Sequence, residues 1–330
     1  MLIFTNRELG DAPDESTFLR RFTPGGTRLA MANVARAPKG APGTWAVSNV
    51  DKDVDDGDSL RALLPVFGGT RPVLVYLHGH QNPPGTLFER CERLRALYPV
   101  EVVGFSWVSE GCLPDGSELP GLVAPAPVAG ESALMAVTDA NRTDDSAQAL
   151  IRRYRQSKTN AQDSVDALAR FLRMVGTARL FANAQPFTLA AHSLGSHFLQ
   201  YTLEVPGAGE SLGTAFNVAL LAPCTRASGH PDWLARIRPK NQVFVTFNRS
   251  DSVLFGARVA DAGQVKLGAD PGPERLSASQ VRYIDFSDAA VGVGGHSYFA
   301  LRRMPKAFTG LFSRILGSAP DLQPGENPSA

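Results

Sequence analysis

The chain has 330 residues, 43% of them hydrophobic, with 33 Lys and Arg against 32 Asp and Glu, for a formal net charge of +1. That length and apolar content support a large buried core and exclude a disordered protein. The near-zero charge offers no basic face to nucleic acid or an anionic membrane, and the 3 scattered cysteines, Cys91, Cys112 and Cys224, suit neither a disulfide framework nor a thiolate metal site.

The opening Met1-Leu2-Ile3-Phe4 turns polar at Thr5, so no secretory signal is read there. No run approaches the ~20 apolar residues that a membrane helix needs, and the expected compartment is the cytoplasm. Residues 1–55 read as an antiparallel β extension, with β-prone Leu2-Ile3-Phe4 and Thr44-Trp45-Ala46-Val47 between Gly- and Pro-rich turns. Asp51 to Gly57 is an acidic turn, and Asp58 or Ser59 is placed to cap a helix over Leu60 to Phe67.

Residues 56–318 read as one domain in which apolar strands alternate with helices. The expected strands are Pro72 to Leu77, Val100 to Trp107, Phe187 to Ala191, Phe216 to Ala222, Val243 to Phe247 and Val281 to Phe286. The expected helices include Phe88 to Leu97, Ala161 to Val175 and Leu194 to Leu203. Such alternation predicts an α/β protein: a mostly parallel central sheet of about six strands with helices on both faces, and an N-terminal β-hairpin at one edge. Gly111 to Asn141, rich in Pro, Gly, Ala and Ser and free of aromatic residues, is expected to form a lid-like insertion or a surface excursion. Residues 319–330 read as a flexible tail.

The chemical signal centres on Thr188-Leu189-Ala190-Ala191-His192-Ser193-Leu194-Gly195-Ser196, a strand, a sharp turn and a helix. This is the pattern of the nucleophile elbow of the α/β-hydrolase fold, which lifts a serine hydroxyl above the sheet. Strand and helix pass so closely there that small residues are needed on either side, here Ala191 and Gly195. An x-Ser-x-Gly sequence alone is weak, so the other pieces decide. Leu77-His78-Gly79-His80-Gln81 follows an early strand, where the backbone N–H of His80 or Gln81 would complete an oxyanion hole with that of Leu194. Gly79 lets the backbone approach a substrate. His78 and His80 share a strand face and can also be read as metal ligands, but the spacing supplies no third ligand.

Gly294-Gly295-His296-Ser297-Tyr298 follows the last strand, so His296 has the chain position of the general base. Asp251, in the polar turn after Val243 to Phe247, is the expected acid that orients His296; a helix-capping aspartate is the alternative. Asp232, Asp285 and Asp288 are weaker candidates. His78, Gly79, Trp107 and His192 are expected to border the substrate pocket, with ordinary packing the alternative for Trp107 and His192.

The set His78-Gly79-His80-Gln81-Asn82, Phe105-Ser106-Trp107, Ala191-His192-Ser193-Leu194-Gly195, Leu221-Ala222-Pro223 and Gly295-His296-Ser297-Tyr298-Phe299 resembles the bacterial α/β-hydrolases of unknown function known as DUF900. The resemblance spans residues 70–305 and implies esterase- or lipase-like chemistry without supplying a substrate. Many members carry an acid after the Ala-Pro pair, where this chain has Cys224. The expectation is therefore a serine hydrolase that cleaves a small-molecule carboxylic ester and needs no cofactor or metal. A thioesterase, an amidase or an acyltransferase would use the same residues, and a non-catalytic binding protein of this fold is the remaining alternative.

Overall fold

A computed structural model of the chain describes residues 1–39, 43–122, 144–277, 279, 281–289, 291–292 and 294–319. The strands are β1 (Leu2–Thr5), β2 (Arg7–Leu9), β3 (Phe18–Phe22), β4 (Ala30–Arg36), β5 (Trp45–Asp51), β6 (Val73–Leu77), β7 (Glu101–Ser106), β8 (Phe187–His192), β9 (Asn217–Leu221), β10 (Gln242–Phe247) and β11 (Val281–Asp285). The helices are α1 (Asp56–Phe67), α2 (Pro84–Leu97), α3 (Asp144–Gln162), α4 (Val165–Ala182), α5 (Gly195–Thr202), α6 (Ala208–Leu212), α7 (His230–Leu234), α8 (Ser252–Ala260) and α9 (Lys306–Leu316). None of them is long and apolar enough to cross a membrane.

A 9-stranded sheet in the order β11-β10-β9-β8-β6-β7-β1-β4-β5 forms the centre, and β2 and β3 pair separately. From β11 to β1 all neighbours are parallel; β1–β4 and β4–β5 are antiparallel. The sheet is thus mostly parallel and flanked by helices. Every residue of β6, β8 and β9 is buried, as expected where both faces of a parallel sheet are covered. Helix α2 packs on β7 and α9 on β8 and β9, while α1 lies against α4.

The edge hairpin pairs β4 with β5, so of the two expected β-prone runs only Thr44 to Val47 contributes to it. The N-terminal segment is nevertheless not a wholly antiparallel extension: β1 lies within the sheet, parallel to β7, with Leu2 opposite Val103 and Thr5 opposite Ser106. Helix α1 starts earlier than the sequence reading because Asp55, not Asp58 or Ser59, is its cap, accepting from the Asp58 N–H at 2.7 Å. The single helix expected over Ala161 to Val175 is the junction of α3 and α4. Asp163 N–H donates to Thr159 O and closes α3, and the Ser164 hydroxyl is held by Asn6 Nδ2 at 2.7 Å. The apolar period continues across that break, which hides it from a periodicity argument. Of the expected lid, the residues past Leu122 to Asn141 lie outside the described residues, as does the tail from 320 to 330. Its described start is tied to α3: Asn160 Nδ2 donates to Val108 O and Cys112 O, and Arg153 pairs with Glu118.

Candidate active site

Ser193 occupies the turn between β8 and α5 with φ of +52°. A side chain makes that left-handed conformation cost about 1–2 kcal/mol, so the surroundings must hold it. They do so through three backbone bonds: Ser193 N–H to Leu221 O (3.0 Å), Cys224 N–H to Ser193 O (3.1 Å) and Ser196 N–H to Ser193 O (3.0 Å). A Cβ at Gly195 would lie 2.7 Å from His78 O and 2.8 Å from Leu77 O, so the small-residue demand inferred from the sequence is real. A Cβ at Gly79 would sit 2.8 Å from Ser193 Cβ, which places the 78–82 loop directly on the serine.

Within that loop His78 Nδ1 donates to Gly79 O (3.0 Å), and Nε2 accepts from the Trp107 N–H (3.1 Å). The Trp107 indole N–H in turn donates to His78 O (3.0 Å), and the two rings stack at 5.5 Å. His78 is therefore a neutral imidazole bracing the loop. It is fully buried, and with both ring nitrogens engaged neither is left for a metal. Trp107, fully buried between His78 and Phe198, is core; the expectation that it lines an acyl pocket is corrected. His80 Nδ1 meets the Ser157 hydroxyl at 2.9 Å. Gln81 has φ of +55° and its N–H donates to Ser109 O at 2.9 Å, which removes it as an oxyanion donor. The donor expected from this loop narrows to His80.

His296 Nδ1 lies 2.6 Å from Asp251 Oδ2, with both residues buried. Asp251 Oδ1 accepts from the Leu254 N–H at 2.9 Å and caps α8. One oxygen of Asp251 thus meets His296 and the other caps α8. The loop before His296 is tied to the same turn: Asn248 Nδ2 donates to Gly295 O (2.8 Å), and Ser252 N–H donates to Gly294 O (3.1 Å). Gly295 has φ of +62°, and a Cβ there would fall 2.4 Å from Asn248 Nδ2. Asp285 faces elsewhere, paired with Arg249 at 2.7 Å and bonded to Ser287. Asp288 and Asp232 are exposed.

The His296 ring is 4.8 Å from that of His192, the neighbour of Ser193, so the serine, the imidazole and the carboxylate belong to one buried cluster. His192 also packs on Phe299 at 4.7 Å and is fully buried, so its expected place at the substrate pocket gives way to packing against the imidazole. His230 is held by Ala227 O and the Tyr283 hydroxyl. Burial pushes the His197 imidazole well below its ordinary value.

Sequence reading missed a polar network behind the elbow. The Tyr154 hydroxyl lies 3.1 Å from Cys224 Sγ and donates to Asp261 Oδ2 (3.3 Å), while Lys158 and the fully buried Lys266 both pair with Asp261. The spacing of Tyr154, Lys158 and Ala161 marks one face of α3, but nothing in the sequence marks Lys266 as buried. Burial pushes the Cys224 thiol up, which keeps it protonated and unsuited to nucleophilic attack at neutral pH.

Comparisons with protein-family models, with curated proteins and with solved structures find no match. What the arrangement can do therefore follows from its chemistry. A serine on a strained turn at a helix start, following a His192 whose ring packs on an imidazole that a carboxylate holds by Nδ1, is a set suited to nucleophilic catalysis.

Proposed function

We propose that this chain is a serine hydrolase of the α/β-hydrolase fold that cleaves carboxylic esters through an acyl-enzyme. The observation that carries the reading is the left-handed Ser193 between β8 and α5 in one buried cluster with the His296–Asp251 pair. In this mechanism Ser193 Oγ attacks the ester carbonyl and His296 Nε2 takes its proton, then returns it to the departing alkoxide. Asp251 fixes the proton on His296 Nδ1 and stabilises the imidazolium. The N–H groups of Leu194, at the unsatisfied start of α5, and His80 receive the developing oxyanion. Water then attacks the acyl-enzyme by the same route in reverse. The resemblance of the motifs to the DUF900 hydrolases agrees with this chemistry.

The test is hydrolysis of p-nitrophenyl esters by the wild-type chain and by Ser193→Ala, with a fluorophosphonate label mapped by mass spectrometry. Loss of a triad serine lowers kcat on the order of a million-fold. Labelling at Ser193 and loss of turnover in a folded variant are expected. Full activity in Ser193→Ala sinks the reading.

A further inference from the structure

A groove of about 880 Å³ opens between the β2–β3 hairpin, the start of β5 and the first turns of α2. Gln81 lies in its inner wall, two residues along the chain from the Gly79 that abuts Ser193. Its apolar surface is made of aromatic and proline side chains. Phe18 and Trp45 both pack edge-on against Phe88, at 5.1 and 5.7 Å, and Pro83 and Pro84 form the facing wall. Flat hydrocarbon suits such a surface.

The charges point to one kind of head group. Glu15, Glu89, Glu110 and Asp115 line the groove against Arg20 and Arg21. Both arginines already face carboxylates outside the lining, Arg20 with Glu118 at 2.8 Å and Arg21 with Glu8 at 3.3 Å. With Glu110 facing Arg7, the carboxylates of Glu15, Glu89 and Asp115 leave the groove with surplus negative charge in a chain whose net charge is only +1. Hydrogen bonds from Ser117 hold the Asp115 carboxyl below its ordinary value.

Glu110 stands at the inner end, its side chain 9% exposed. Its Oε2 pairs with the buried Arg7 at 2.8 Å, whereas Oε1 accepts no hydrogen bond from the described residues. A buried acceptor without a donor costs about 1–3 kcal/mol, which a ligand N–H recovers.

We propose that this groove binds an organic cation, a primary ammonium on a flat apolar body, with the nitrogen at Glu110 and the body against Trp45 and Phe18. An anion meets the surplus carboxylates, and a neutral ligand gains nothing from them. The site is independent of the serine chemistry proposed above.

The probe is benzylamine, titrated calorimetrically at neutral pH beside benzyl alcohol and benzoate, which keep the ring and change the charge. Benzylamine should bind at least about tenfold more tightly than either, because close ion pairs exceed neutral hydrogen bonds. Glu110→Gln should weaken it about tenfold or more. Gly85→Leu should abolish it: a Cβ there lies 3.9 Å from both Trp45 Cδ1 and Glu15 Cγ, so the new side chain enters the groove without a clash. Should Glu110→Gln fail to melt cooperatively for want of a partner for Arg7, Gly85→Leu decides alone. Binding in Ser193→Ala should match wild type, which separates this proposal from the hydrolase reading. Equal affinity for all three probes, no binding of benzylamine, or binding that survives Gly85→Leu overturns it.

Discussion

The oxygens of Asp251 have separate partners, His296 Nδ1 on Oδ2 and the Leu254 N–H on Oδ1. Asn retains an oxygen for the cap but presents an amide where the imidazole needs an acceptor, favouring the wrong tautomer. Asp251→Asn should therefore melt near the wild type while losing about ten-thousand-fold in kcat. Asp251→Ala should lose the cap as well, about 1 kcal/mol. Asp285→Asn, whose carboxylate serves Arg249 and Ser287, should keep near-normal kcat. Steady-state ester kinetics and thermal melts on the three variants check this; a collapse in Asp285→Asn with normal turnover in Asp251→Asn would move the acid to β11. The turn at Ser193 and the pairing of Asp251 with His296 are legible because chain order and local pattern carry them: small residues around a serine, a polar turn after a strand, glycines before a histidine. The fate of Gln81 was not, because its N–H is taken by Ser109, a residue delivered by the exit of a different strand. Trp107 failed for the same reason, since only the paired strands bring it onto His78.

Between elements, two contacts set how the site is held. The first is the crossing of α5 over the end of β6. Gly195→Ala would place its Cβ within 2.8 Å of two backbone oxygens, His78 O and Leu77 O, neither of which can rotate away. Overpacking of this kind costs about 1–3 kcal/mol, so a lowered melting temperature with reduced kcat is expected, and a wild-type melt would mean the crossing is looser than the geometry states. The second is Asp261, which ends α8 and binds Lys158 of α3 and the buried Lys266. Burial alone would raise its carboxyl; the Lys266 and Lys158 ammoniums outweigh this and bring it from 3.8 to about 2. A carboxyl depressed on folding contributes stability that is present above its unfolded value and lost as pH falls through its folded one. The unfolding free energy, measured in urea, should therefore drop between about pH 4 and pH 2, and Asp261→Asn should flatten that limb while being less stable at pH 7. An unchanged acid limb in the variant would rule Asp261 out as its source. Helix α8 is hard to read from the sequence because its cap and the imidazole's partner are the same residue, Asp251. Helix α3 escaped because its polar composition masks the Tyr154 face.

At the scale of the molecule, the parallel strands β6 to β10 announce themselves as largely apolar runs, because both faces of that part of the sheet are buried. The place of the N-terminal segment does not, since pairing between β1 and β7 joins residues far apart in sequence and leaves no local pattern. Residues 1–55 are part of the core: Ile3, Phe4, Leu29 and Trp45 are buried, and Phe4 packs on Phe171 at 5.0 Å. Each such side chain contributes about 1.5–3 kcal/mol, against a whole stability of about 5–15 kcal/mol for a typical domain. Arg7 adds a polar anchor, fully buried and donating to Ser106 Oγ, Leu19 O, Trp107 O and Glu110. Removing residues 1–55 strands the Glu110 carboxylate, at a cost of about 3–5 kcal/mol, and, with β1 gone, bares the edge of β7 to other chains. A chain starting at Asp56 should thus aggregate or lack a cooperative melt, whereas an appended hairpin would come away cleanly. Circular dichroism and size-exclusion chromatography distinguish the two: a monomeric, cooperatively melting truncation would show that β1 decorates the sheet rather than completing it.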